Sequence, residues 1–286
     1  MAGADQDRRA ATPNRVSRGE LPIRVISAVI LAPLAIGAAY VGGWPFVLFC
    51  ALAAVGIWWE WAALSAGPGA RIVMAIGAGA LVAATGFLMV SWIAAAVACL
   101  AIGALAVAAS TPPNARGWVA LGVLYAGAML VAPVVLRSDP HEGFLAIVFL
   151  FAVVWATDIV AYFAGRAVGG PKLAPRVSPN KTWAGALGGA CGAVIAAATV
   201  AAAAKPGHGT ALVLVGLGLS VASQVGDLFE SAVKRRYGAK NAGQLIPGHG
   251  GLMDRLDGFI AAALVAAIVG LVRGGPDASA RGLLVW

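Results

Sequence analysis

The stretch DRLDGFIAAALVAAIVGLV, residues 254–272, places two acids at the start of a long apolar run. A helix of about 20 apolar residues is long enough to cross the hydrocarbon core of a bilayer. This run is one of nine in a chain of 286 residues, of which 60% are hydrophobic and only 11% are charged. We therefore predict an all-α, polytopic integral membrane protein, a bundle of about nine transmembrane helices.

The apolar runs also suggest how the chain is organised. Only Val90 and Ser91 divide the third run from the fourth, so these two are the weakest candidates for separate helices. We predict an N-terminal tail (1–22), a first group of helices (23–140) and a C-terminal catalytic region (141–286) with polar loops at 166–182 and 231–255. The candidate spans are 23–41, 44–64, 71–90, 92–109, 117–136, 143–165, 183–204, 209–230 and 256–272.

The basic residues predict the orientation of the bundle. With a cytoplasmic N-terminus, sixteen of the twenty Lys and Arg residues fall on the cytoplasmic side, as the positive-inside rule requires. Both long polar loops then face the cytoplasm. The net charge of +8 indicates anionic lipid and an anionic substrate rather than nucleic acid, because the basic residues sit in short loops between spans.

Acidic residues within the spans are the first candidates for function, because a charge in the bilayer is costly. Asp158 shares a helix face with Tyr162, four residues on, and Asp227 lies near the end of the eighth span. Asp254 and Asp257 project together at the start of the last span, where a helix N-terminus favours carboxylates. Carboxylate oxygens suit Mg²⁺, which usually bridges to substrate phosphates.

Other polar residues have simpler interpretations. Glu60, in IWWEWAAL, lies near a span end among tryptophans, so we expect it to anchor that end at the membrane interface. A lone intramembrane Asp such as Asp158 can instead have a purely structural role, as a hydrogen-bond partner between two helices. His249, between glycines, fits a turn or a cap as well as a proton carrier.

Two polar loops supply cations. GGPKLAPRVSPNKT (169–182) holds three basic residues and Ser178 among glycines and prolines, and KRRYGAK (234–240) adds further basic residues. Lysine brings point charge to a phosphate, although such loops can also merely set topology and attract lipid. No GxxxxGK[ST] motif occurs. Carboxylates and cations at one membrane face together predict Mg²⁺-dependent chemistry on a phosphate or a nucleotide.

The stretch SAVKRRYGAKNAGQLIPGHGGLMDRLD, residues 231–257, resembles the signature of the phosphatidate cytidylyltransferase (CDP-diacylglycerol synthase) family. The stretch 155–185 resembles the other conserved segment of that family, so the resemblance is sharp over about 155–258. Two positions depart from it: Asn241 replaces an Asp, and Ala184 replaces a frequent Glu. The matching signature positions are Ser231, Lys234, Arg235, Lys240, His249, Gly250, Gly251, Asp254, Arg255 and Asp257.

The resemblance implies that phosphatidate and CTP react to give CDP-diacylglycerol and pyrophosphate, with one or two Mg²⁺ ions. It implies an active site on the cytoplasmic side of a membrane, most simply a bacterial inner membrane. A homodimer is compatible with it, and the oligomeric state stays open. The site residues that follow for catalysis are Asp227, Asp254, Asp257, Lys181 and His249, and the three aspartates are the metal ligands. Those for substrate binding are Lys172, Ser178, Lys234, Arg235, Lys240, Arg255, Gly250, Gly251, Asp158 and Tyr162.

Other functions stay open on these residues. A CTP-dependent lipid-alcohol kinase would use similar groups, and an ion-coupled transporter would also place acids within the membrane. An inactive, lipid-binding paralogue is allowed by the two departures. A CDP-alcohol phosphotransferase is disfavoured, because its D-G-x2-A-R…G-x3-D-x3-D pattern does not occur.

Overall fold

The structure is a computed structural model that describes residues 20–67, 70–204, 209, 211–243, 245 and 250–286, with side chains from residue 29 onward. The long helices are α1 (Glu20–Val41), α2 (Gly43–Ser65), α3 (Arg71–Met89), α4 (Ile93–Ala109), α5 (Arg116–Arg137), α6 (Gly143–Val168), α7 (Trp183–Ala203), α8 (Ala211–Arg236) and α9 (Met253–Gly274). Between α6 and α7 lie strands β1 (Lys172–Ala174) and β2 (Ser178–Thr182). A 3₁₀ turn (Pro276–Ala278) and α10 (Ser279–Leu284) follow α9.

The predicted all-α membrane class is confirmed. A helix coincides with each of the nine candidate spans, and within the described residues seven of them are long and apolar enough to cross a membrane. The exceptions are α4 and the described apolar part of α1, which are shorter. α3 and α4 are separate helices, because the chain turns at Ser91, whose left-handed φ of 60° is uncommon for a residue other than glycine.

The two polar loops contain more regular structure than we predicted. In the 166–182 loop, β1 and β2 form an antiparallel hairpin in which Lys172 pairs with Thr182. In the 231–255 loop, the first six residues are helical and continue α8 to Arg236. Three basic residues occupy the last turn of α8, where cations interact favourably with the helix C-terminus.

Glycines let the C-terminal helices approach closely. A Cβ at Gly189 of α7 would lie 2.9 Å from the Thr157 carbonyl oxygen of α6. Likewise, a Cβ at Gly226 of α8 would lie 2.6 Å from the Asp257 carbonyl oxygen of α9, and one at Gly258 would lie 2.5 Å from Ser223 Oγ. Small residues at helix contacts permit this spacing in membranes. They bring α8 and α9 together at the level of their acids.

A buried acid, Asp139, stabilises the bundle near the C-terminal end of α9. The Asp139 side chain, in the α5–α6 turn, accepts hydrogen bonds from the Arg281 N–H (3.0 Å) and from Arg281 Nε (3.2 Å), which tie α10 to the bundle. The His141 and Glu142 N–H groups also donate to it. Burial on its own raises the pKa of Asp139, but these hydrogen bonds outweigh it and hold the pKa below its ordinary value.

We expect Asp139→Asn to lower the free energy of unfolding by about 2–3 kcal/mol, because the Arg281 guanidinium loses its charged acceptor. A group with a lowered pKa stabilises the fold above its unfolded pKa, and this stability is lost as the pH falls through the folded pKa. The difference between native protein and variant should therefore be constant from about pH 5 to pH 8 and shrink below about pH 4. Thermal unfolding in detergent measures it.

Asp277→Asn is the matched control, because Asp277 is exposed and Arg281 contacts its backbone carbonyl. Equal stability of both variants at neutral pH would contradict the role of Asp139.

Candidate active site

Asp254, in the first turn of α9, is held by three partners. Lys234 Nζ, from α8, lies 2.5 Å from Asp254 Oδ1 and 2.6 Å from Oε2 of the buried Glu230. The Ala242 and Gly251 N–H groups donate to Asp254 Oδ2 at 3.1 and 3.2 Å. One lysine thus joins two acids from neighbouring helices, and the loop between α8 and α9 folds back onto the same carboxylate.

Glu60 is the principal residue that the sequence analysis misjudged. It does not anchor a helix end at the interface: it is only 2% exposed, and its carboxylate accepts the Leu252 N–H at 2.9 Å and the Met253 N–H at 2.7 Å. A carboxylate there satisfies otherwise unpaired N–H groups at the start of α9. Glu60 therefore fixes, from α2, the position of the turn that carries Asp254. Its position among three tryptophans pointed to the interface, and only the fold shows its partner.

A second cluster surrounds Asp227 of α8. Lys181, from β2, forms an ion pair with Asp227, and Ser231 Oγ lies 3.4 Å from the same side chain. The charges of Asp227, Asp158 and Lys181 all act on Asp257 of α9. Lys181 thus contacts Asp227 directly, and Asp257 of α9 and the exposed Asp158 of α6 lie near enough to sense the charges of this pair.

The hairpin is docked on α8 as well as paired through Lys181. Arg235 Nε donates a hydrogen bond of 3.3 Å to the Val177 carbonyl oxygen, in the turn between β1 and β2. Thr182 ends the hairpin and caps α7, since its Oγ1 accepts the Gly185 N–H at 3.1 Å. The lysine-bearing loop therefore has a fixed position over the ends of α7 and α8.

A buried phenol lies behind both clusters. Tyr125 of α5 packs between Trp61 and Phe229, with ring centroids 5.1 and 5.9 Å away. Its hydroxyl has no hydrogen-bond partner among the described residues. The hydroxyl is near enough to four acids of α8 and α9 to sense their negative charge. One of them is Glu230, which pairs with Lys234 by charge and not through an aligned hydrogen bond. Tyr125 and Glu230 are site residues that the sequence analysis did not select.

The remaining predicted residues differ in their positions. Lys172, Arg235 and Lys240 are exposed at this end of the bundle, Ser178 is half-buried in β2, and Gly250 and Gly251 border Asp254. Arg255 lies on α9 beside Asp254. Tyr162 is 59% exposed and accepts a hydrogen bond from Arg166, and no contact in the described part of the chain joins it to the acids. His249 lies outside the described residues.

The donor set of the site fits Mg²⁺ by its chemistry. No three His, Cys, Asp or Glu side chains among the described residues are grouped as a metal cage. Mg²⁺ does not require one, because it is usually held by one or two carboxylates together with substrate phosphates. Asp227 and Asp257, on facing helices, supply such carboxylates. Asp254 shares both of its oxygens with Lys234 and backbone N–H groups.

The fold and the site define a helical membrane protein with a carboxylate–lysine site at one end of its bundle. Comparison with known protein families gives the class a name. Residues 22–272 match the Cytidylyltransferase family, and the chain belongs to this enzyme family. The resemblance inferred from the signature is confirmed.

The chain is also similar to individual proteins that share a name. It is 43% identical to a phosphatidate cytidylyltransferase of Brucella abortus over 259 residues, 90% of this chain and 96% of the relative. It is 37% identical to a protein of the same name from Pseudomonas aeruginosa, over 85% of this chain and 94% of the relative. A Bacillus subtilis protein of that name is 40% identical over 145 residues, half of this chain.

We expect Glu60→Gln to loosen the start of α9, because an amide offers one oxygen where two N–H groups now find two. Loss of a hydrogen bond to a charged acceptor costs about 1.5–3 kcal/mol. Amide hydrogen exchange of the peptide containing Leu252 and Met253 should therefore accelerate about tenfold or more. Peptides from α5 in the same sample are the internal control, and unchanged exchange at the start of α9 would show that Glu60 does not hold it.

Proposed function

We propose that the protein transfers the cytidylyl group of CTP to phosphatidate, giving CDP-diacylglycerol and pyrophosphate, with Mg²⁺ and at the cytoplasmic face of a bacterial inner membrane. The observation that carries this proposal is the meeting of acids from α8 and α9 with Lys181 and Lys234 at one end of an apolar bundle. The names of the relatives agree with it. A polar site at the end of membrane helices suits one lipid and one water-soluble reactant.

The chemistry requires little acid–base help. A phosphate oxygen of phosphatidate, ionised at neutral pH, attacks the α-phosphorus of CTP. The bond from this phosphorus to the oxygen bridging to the β-phosphate breaks, and pyrophosphate leaves with the electron pair. The obstacle is the approach of two polyanions, so catalysis consists mainly of neutralising charge and aligning the reactants.

The lysines are arranged for this task. Lys181 and Lys234 each hold a carboxylate in the present structure, and their side chains are 26% and 15% exposed. Phosphate oxygens can share these ammonium groups, and the exposed Lys172, Arg235 and Lys240 extend the positive surface toward the solvent. Arg235 is also tied to the hairpin, so binding of a triphosphate would stabilise both polar connections together.

Asp227 and Asp257 would hold Mg²⁺, and the ion would supply positive charge at the phosphates of CTP. Asp254, which we also predict as a ligand, offers the oxygen that Lys234 now contacts, so ligation there would exchange an ammonium group for the metal. The buried Glu230 keeps Lys234 in place during such an exchange through its own ion pair. Glu60 acts indirectly: it binds the backbone just before Asp254 and so positions that residue.

The two departures from the family signature leave this machinery intact. Asn241 is exposed beside Ala242, whose N–H donates to Asp254, and Ala184 lies in the first turn of α7. Both ion pairs, Lys181–Asp227 and Lys234–Asp254, are present in spite of them. The paired carboxylates therefore favour an active enzyme over an inactive paralogue.

The direct experiment supplies purified protein with labelled CTP, phosphatidate and Mg²⁺, and identifies both products. Labelled CDP-diacylglycerol with release of pyrophosphate supports the proposal, and replacement of Mg²⁺ by a chelator should stop it. Release of CDP with a lipid alcohol as acceptor would indicate the kinase instead. Ion-dependent uptake into vesicles without a lipid product would indicate a transporter.

We expect Asp227→Asn and Asp254→Asn each to lower kcat by about 100-fold or more, because each removes a charge that the transition state depends on. The variants should still insert into the membrane and elute as the native protein does. Asp277→Asn, an exposed acid at the opposite end of the bundle, is the matched control and should keep normal activity. Near-normal turnover in either site variant would refute the assignment.

A further inference from the structure

An apolar groove of about 630 Å³ lies between α1, α2, α5, α6 and α9. Its walls include Leu34, Phe49, Pro133, Trp155 and Phe259. The volume is within the usual range of ligand-binding cavities, about 300–1,000 Å³. The charged groups described above leave the role of this apolar cavity unassigned.

The groove connects the surrounding bilayer with the polar site. Leu34, Leu52 and Trp155 are 54%, 75% and 40% exposed on apolar helices, so its open side faces lipid. The lining also includes Asp158 and Arg255, the only charged residues among those that line it in the described chain. Leu252, in the turn before Asp254, also lines the groove, and its N–H donates to Glu60. One boundary of the groove is therefore the candidate active site itself.

We propose that this groove holds an acyl chain of the lipid substrate and thereby discriminates between chains by length. The anionic headgroup would lie at the Arg255 end, where a guanidinium suits phosphate, and the chain would follow the wall formed by α1 and α2. This inference rests on the proposed function and deepens it, because it assigns the specificity for the acyl chain to named residues.

The groove acts through position more than through affinity. An acyl chain that leaves the bilayer for an apolar wall gains little, because lipid tails are as apolar as leucine. An acyl chain held along the groove does keep the phosphate headgroup at a fixed distance from the reacting groups. Such alignment of the reactants lowers the barrier of the reaction. Filling the groove should therefore affect long-chain substrates selectively.

Ala35 on α1 is the residue best placed for a test. It lines the groove, is half-buried, and lies outside the polar site. We expect Ala35→Phe to lower kcat/KM for dioleoyl phosphatidate about tenfold and to change that for dihexanoyl phosphatidate less than about twofold, both assayed in the same detergent. Ala98→Phe is the matched control, because Ala98 is exposed on α4 and does not line the groove.

A second variant, Leu34→Ala, widens the groove, because it shortens a side chain of an exposed wall. We expect it to raise kcat/KM several-fold for a phosphatidate with methyl-branched chains relative to dioleoyl phosphatidate. Thermal unfolding of each variant is measured alongside.

The outcomes separate this inference from the proposed function. If the native protein forms no CDP-diacylglycerol from either substrate, the proposed function fails. If the native protein is active but Ala35→Phe affects long and short chains equally, or neither, the groove does not hold the substrate chain. Activity of Leu34→Ala that shows no change in chain preference would also overturn the inference.

Discussion

The structure depends on the pairing of its buried site acids, Asp254, Glu230 and Glu60, with a lysine or with backbone N–H groups. An isolated charge in a medium of low dielectric constant is costly, and removal of one partner from a buried pair leaves that cost unopposed. Lys234 meets the requirement for Asp254 and Glu230, and Lys181 meets it for Asp227. These pairs explain why α8 continues beyond its apolar part and why the β1–β2 hairpin folds over its end. Partners of this kind can also be shared with a phosphate, which connects stability with the proposed reaction.

Close helix packing makes these pairs possible. Gly226 and Gly258 allow α8 and α9 to approach until backbone and side chains touch, and the acids then emerge on facing surfaces. The N-terminal half also contributes to the site. Glu60 of α2 holds the start of α9. In addition, helices α1 and α2 form one wall of the groove. The first helices therefore help to build the candidate site and, under the proposal for the groove, its access from the bilayer.

The sequence alone predicts those features that depend on local composition. Apolar runs of the right length located the helices, and the spacing of Asp254 and Asp257 after the basic end of α8 indicated the site. It does not predict contacts between distant segments: Glu60 and Met253 are 193 residues apart, and nothing local to either residue indicates the other. For the same reason the hairpin, the position of Tyr125 behind the acids and the groove required the packed structure. Asp158 and Tyr162 are both exposed on α6, and a shared cavity for these two residues stays a prediction.

The convergence of α8 and α9 is tested most directly by a disulfide. A Cβ built at Gly258 lies 3.6 Å from Ser223 Cβ, within the range of disulfide geometry. In a protein whose native Cys50, Cys99 and Cys191 are replaced, Ser223→Cys combined with Gly258→Cys should form an intramolecular disulfide in membranes, seen as loss of thiol labelling that a reductant restores. Ser223→Cys combined with Ile268→Cys, at an exposed position about three turns further along α9, should remain reduced. A Ser223–Gly258 pair that stays reduced under mild oxidation, or that links no better than the distant pair, would contradict the shared site on which the account rests.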